Sequence, residues 1–150
     1  MAGPPSFDTV LVPVDGSDES ARAVEYAVAV AERYDAAVHV MYVLGEAATR
    51  AIDAGRVDDA DVVAESESVL ESAEAVAAEH GVPASHSTAY GFSARRKLTH
   101  PGSVVLDAAE QMAADFLVIP RESGREESAD TLEKAAEYVL LYASQPVLSV

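Results

Sequence analysis

Thr9-Val-Leu-Val-Pro-Val-Asp-Gly-Ser17 is the stretch that decides the fold. An uncharged, mostly aliphatic run stops abruptly on Asp-Gly-Ser. A short apolar run closed by turn residues reads as a buried strand. Pro13 lacks an N–H, but it falls at the strand's far end, where a ladder bond can be missing. Directly after it, Asp18–Tyr34 places Val24, Ala27, Val28 and Ala31 at helical spacing. Asp18, Glu19, Glu25 and Glu32 lie off that stripe, so the segment reads as an amphipathic helix. A buried strand feeding such a helix is the first half of a β-α-β unit.

The same alternation continues outward to the end of the chain. Residues 38–43 form the next β-rich run, and 45–61 are polar. A long helix follows, with Val62, Val69, Leu70, Ala73, Val76 and Ala77 on one face and Gly81-Val82-Pro83 as its stop. Ala84–Tyr90 reads as a weak, polar strand, hence an edge. Residues 91–102 read as a loop and 103–114 as a helix with Val105, Ala108, Ala109 and Met112 inward. Phe116–Ile119 is a short apolar strand, and 120–130 a polar loop. Residues 131–143 read as a helix with Leu132, Ala135, Ala136, Val139 and Leu140 inward, and 146–150 as a last strand. The order β-α-β-α-β-α-β-α-β predicts a single α/β domain: a parallel sheet with helices on both faces. No composition shift or internal repeat marks a second domain. Residues 1–6 read as an N-terminal tail and 7–150 as the domain.

Composition narrows the function. The 150 residues contain no cysteine, which excludes disulfides, thiolate chemistry and cysteine-held metals. Asp plus Glu number 26 against 10 Lys plus Arg, a net charge of −16. Such a chain repels nucleic-acid phosphates and anionic membrane surfaces. Only Lys97 and Lys134 are lysines, and the acidity runs along the whole chain. This is the balance expected of a halophilic protein in a salt-rich cytoplasm, where counterions screen the self-repulsion. The start of the chain has neither a basic region nor an apolar core of a targeting signal, and no run is long enough to span a membrane. The expected location is cytoplasmic.

The opening strand and turn resemble those of the universal stress protein family. Ala114-Asp-Phe-Leu-Val-Ile119 is similar to its fourth strand, and Ala136-Glu-Tyr-Val-Leu-Leu-Tyr-Ala-Ser-Gln-Pro-Val-Leu-Ser-Val150 to its last helix and strand. The chain resembles an acidic, haloarchaeal-type member. The resemblance implies a five-stranded sheet in the order 3-2-1-4-5. It also implies a homodimer paired through the C-terminal strand, here Val147, Leu148 and Val150. Many members bind ATP where the strand order reverses, with an Asp after strand 1 and a Gly-x2-Gly-x9-Gly-Ser/Thr loop after strand 4. This chain keeps the Asp as Asp15. Counting back from Glu137-Tyr138-Val139 without gaps, it carries Pro120, Ser123, Glu133 and Lys134 at the four loop positions. Gly124 lies one residue from a family glycine.

Other constellations have plain structural readings. Asp15-Gly16-Ser17 serves either as a ligand-facing turn at the carboxyl end of strand 1 or as a β-α turn, with Ser17 or Asp18 capping the helix. Asp130 and Glu133 have capping-box spacing. Arg95, Arg96 and Lys97, with His100 nearby, form the only basic run. It is either an anion contact or a solvated loop paired with neighbouring acids. His39, His80, His86 and His100 match no zinc pattern. Asp58, Asp59 and Asp61 lack the glycine and final glutamate of a calcium loop, so no metal site is expected. No nucleophile–base set stands out, and no catalytic residue is assigned.

These readings combine into one expectation: a non-catalytic, cytoplasmic, dimeric stress-response protein with the ATP phosphate loop lost and no cofactor. The alternative is a protein that still binds adenine nucleotide, through Asp15, Gly16, Arg95, Arg96, Lys97 and Gly124.

Overall fold

A computed structural model of the chain describes residues 3–44, 51, 54–55, 58–90, 100–121 and 129–150. The elements are β1 (Thr9–Val14), α1 (Asp18–Tyr34), β2 (Ala37–Leu44), α2 (Asp59–Glu79), β3 (Ala84–Tyr90), α3 (Pro101–Gln111), β4 (Phe116–Ile119), α4 (Ala129–Tyr142) and β5 (Val147–Ser149). The strands form one parallel sheet in the order β3-β2-β1-β4-β5. β1 is central, which explains its unbroken burial.

Alternation along β1 separates two cores. Val10, Val12 and Val14 point to the face covered by α1 and α2, where Val24, Val28, Leu70 and Ala73 meet them. Leu11 points to the other face, under Val105 and Ala109 of α3 and Leu132, Ala135 and Val139 of α4. Each fully buried aliphatic side chain contributes about 1.5–3 kcal/mol. Pro13 is tolerated because the pairing of β1 with β4 covers only Val10 and Leu11. β3 pairs with β2 along its whole length yet is largely exposed, in keeping with its polar sequence.

Helix starts follow local chemistry. Ser17 caps α1 by accepting from Ser20 N, and Asp35 closes it in the left-handed region at φ 55°. Asp58 caps α2 through Ala60 N, which starts that helix at Asp59 rather than at Val62. α3 starts at Pro101 rather than at Ser103, because proline suits the first helical position and the His100 ring caps it by accepting from Gly102 N. α4 begins at Ala129 rather than at Thr131, which places the backbone of Asp130 within its first turn. β2 is one residue longer at each end than expected, and β5 one residue shorter at each end.

Candidate functional site

β1 and β4 are neighbours, while β2 and β5 lie on their outer sides. The connections therefore diverge between β1 and β4, and the crevice beyond their carboxyl ends is where such sheets hold ligands. Asp15 directly follows β1 and Pro120 directly follows β4, so both stand at this end of the sheet.

The Asp15–Ser17 turn is built from its own hydrogen bonds. Asp15 is only 4% exposed. Its Oδ1 accepts from Ser17 N at 2.9 Å and from the Ser17 hydroxyl at 2.5 Å. Ser17 Oγ in turn accepts from Ser20 N at 3.1 Å, and Asp15 N donates to Ser20 Oγ at 3.3 Å. Gly16 has φ 84°, a left-handed conformation that other residues rarely adopt. The turn reading of these three residues is thus realised, with Ser17 as the cap. Ser20 completes the turn; its only sequence signal is its place three residues after Ser17.

Pro120 is buried, and the next backbone N–H, that of Arg121, is spent on Val150 O at 2.8 Å. Thr131, in the first turn of α4, is 3% exposed. Glu133 and Lys134 lie in the second turn of that helix. Arg95, Arg96, Lys97, Ser123 and Gly124 lie outside the described residues. Among the described residues, no group of three His, Asp or Glu is placed to hold a metal ion.

The histidines are tied to polar neighbours. His39 bridges Ser85 Oγ (2.7 Å from Nδ1) and Ser87 Oγ (2.8 Å from Nε2) across β2 and β3. Burial pushes its pKa below the ordinary 6.5, and His86 nearby adds to the effect. His80 pairs with Glu32 at 2.9 Å, joining the ends of α2 and α1, and His86 contacts Glu74.

The C-terminal strand runs beside β4, with Val147 against Leu117, Leu148 against Val118 and Ser149 against Ile119. Val147, Leu148, Ser149 and Val150 all remain half-buried in the single chain. Leu140 and Leu141, near the end of α4, are 53% and 76% exposed. Among the described residues, no helix is long and apolar enough to cross a membrane.

The parallel sheet and its strand order define an open, doubly wound α/β fold. Residues 6–150 match the family model "Universal stress protein family", and the chain belongs to that family. Solved structures agree on the fold. The universal stress protein UspA from Lactobacillus plantarum is 22% identical, with 98% of this chain and 99% of that chain covered and a TM-score of 0.73. A universal stress protein in complex with cAMP is 22% identical, with coverage of 97% and 98% and a TM-score of 0.65. The universal stress protein from Archaeoglobus fulgidus in complex with dAMP is 22% identical, with coverage of 95% and 96% and a TM-score of 0.63. No curated protein matches the chain.

Proposed function

We propose that this chain is a non-catalytic, cytoplasmic universal stress protein of the halophilic, acidic type, working as a homodimer without a bound cofactor. The observation that carries the reading is the chemistry at the four phosphate-loop positions. A triphosphate needs backbone N–H donors at close range and a helix N-terminus aimed at it. Pro120 has no N–H to offer. Glu133 and Lys134 stand where the family opens its helix, but α4 begins four residues earlier, at Ala129. An N–H in the second turn is already committed to the helix ladder. Glu133 also brings a negative charge toward phosphate. The Ser17 hydroxyl donates to Asp15 and caps α1, a structural rather than nucleophilic use.

The half-buried β5 edge supports the dimer, because an apolar edge strand is a pairing surface unless covered. Two-fold pairing of two copies covers it. Net charge −16 supports the salt-rich cytoplasm and argues against nucleic acid and membrane as partners.

A second reading keeps an adenine nucleotide, through Asp15, Gly16 and the run Arg95, Arg96 and Lys97. The retained Asp15–Gly16 turn favours it, as do the relatives in complex with cAMP and dAMP. A monophosphate demands fewer donors than ATP. Calorimetric titration with ATP and AMP in molar KCl separates the two readings. The first expects ATP binding no tighter than millimolar and no hydrolysis. Micromolar binding of either nucleotide overturns it in favour of the second.

A further inference from the structure

Beside the Asp15–Ser17 turn, α1 and α2 leave a cleft of about 280 Å³ that the preceding reading does not use. Its floor is apolar, made by Val24, Val69, Ala73 and Val76. A pocket with an apolar floor and a few convergent polar groups is the usual form of a small-molecule site.

Three of the four serines in the lining have already spent their hydroxyl protons. Ser17 spends its hydroxyl proton on Asp15, Ser20 on Ser17 O at 3.0 Å, and Ser72 on Ser68 O at 3.0 Å. Ser17 and Ser20 also each accept one backbone N–H, so what these hydroxyls have left is acceptor capacity alone. Asp18 and Glu25 complete the lining from α1. Among the described residues, neither has a cationic partner. The wall therefore accepts hydrogen bonds and attracts positive charge.

Spacing adds length to this chemistry. Asp18 and Glu25 are seven residues apart, so they lie on one side of α1 about 10.5 Å from each other. A second hollow, of about 360 Å³, continues from Glu25 and Val76 to Glu32 and His80. There Glu32 is already paired, with His80. The upper cleft thus offers two carboxylates rooted about 10.5 Å apart along α1, beside a hydrocarbon floor.

We propose that the cleft between α1 and α2 binds a linear aliphatic polyamine, its methylene chain on Val24, Val69 and Val76 and its ammonium groups at Asp18 and Glu25. Only donors on a slender apolar chain match such a lining. An anion meets repulsion there, and a compact cation cannot use the floor.

The test is calorimetric titration of the full chain with spermidine, at the lowest KCl concentration that keeps it folded. One-to-one saturable binding is expected, with 1,4-diaminobutane weaker because it cannot reach both carboxylates. Asp18→Asn combined with Glu25→Gln should weaken spermidine at least tenfold. Glu110→Gln combined with Glu137→Gln removes the same charge from the opposite helical layer and should leave affinity unchanged. Ser72→Lys, at an exposed position, should block the cleft with a tethered ammonium. Equal weakening by both double variants would reveal a general counterion effect and overturn the proposal, as would non-saturable binding. Displacement of spermidine by AMP, with AMP binding intact in the Asp18/Glu25 variant, would assign the cleft to nucleotide and overturn it as well.

Discussion

At Gly102 there is no room for a methyl group. A Cβ built there would overlap the Tyr138 side chain. The absent side chain lets α3 approach α4, and His100 stacks on Tyr138 with centroids 4.5 Å apart. Gly102→Ala should therefore destabilise the fold by about 1–3 kcal/mol, despite alanine's better helix propensity. Chemical denaturation checks this, and a neutral or stabilising result would show that the helices can part without cost. His39 gives a second residue-scale expectation. Its folded pKa is depressed, so the unfolded chain takes up a proton first as pH falls through 6.5. The stability His39 contributes is present above that pH and is lost as pH falls toward the folded value, where the loss levels off. His39→Gln should flatten this part of the curve, read as denaturation midpoints between neutral pH and about pH 5 for both proteins. Of the residues in the site, Asp15, Gly16 and Ser17 were legible because turn chemistry is local. The cleft beside them was not. Ser20 and Ser72 lie far apart in sequence, and only the packing of α1 on α2 makes them neighbours.

At the scale of elements, β1, β4 and α1 stand out in the sequence because burial on both faces leaves uncharged runs and a one-sided helix leaves a stripe. Element ends were less legible. The start of α3 depends on a histidine cap, which sequence alone does not distinguish from a loop residue. The start of α4 before Asp130 moves Glu133 from the helix mouth to its second turn. β5 carries the prediction at this scale. Val150 N–H donates inward to Ile119 O at 3.0 Å, so by strand alternation the N–H of Ser149 points away from β4. Ser149→Pro should then leave β4–β5 pairing intact while removing an outward donor. It also removes a hydroxyl that is buried without a hydrogen-bond partner among the described residues. Sedimentation should show a dimer for the parent and a monomer for the variant, both folded by circular dichroism. A monomeric parent at micromolar concentration would end the dimer reading.

For the whole molecule the governing quantity is the charge of −16. Carboxylates crowd every helix, and few cations stand among them. Self-repulsion falls as the Debye length shrinks, from about 10 Å at 0.1 M salt to about 3 Å at 1 M. The melting temperature should therefore rise by several degrees or more between dilute buffer and molar KCl. A melting temperature indifferent to salt would remove the halophilic reading and leave ordinary acidity. The order of the sheet was legible only through family resemblance, since alternation alone fixes parallel strands but not their sequence across the sheet.

The two borders of the sheet are chemically unlike. β5 is short and apolar, whereas β3 presents Ser85, His86 and Thr88 to solvent. The proposed joining of two copies at β5 would make a doubled sheet whose outer margins are both β3. Neither margin would offer the adhesive face of the first join, so growth would stop at two. In the proposed dimer the serines and histidine of β3 would act as a stopper, making assembly self-limiting and guarding against fibres.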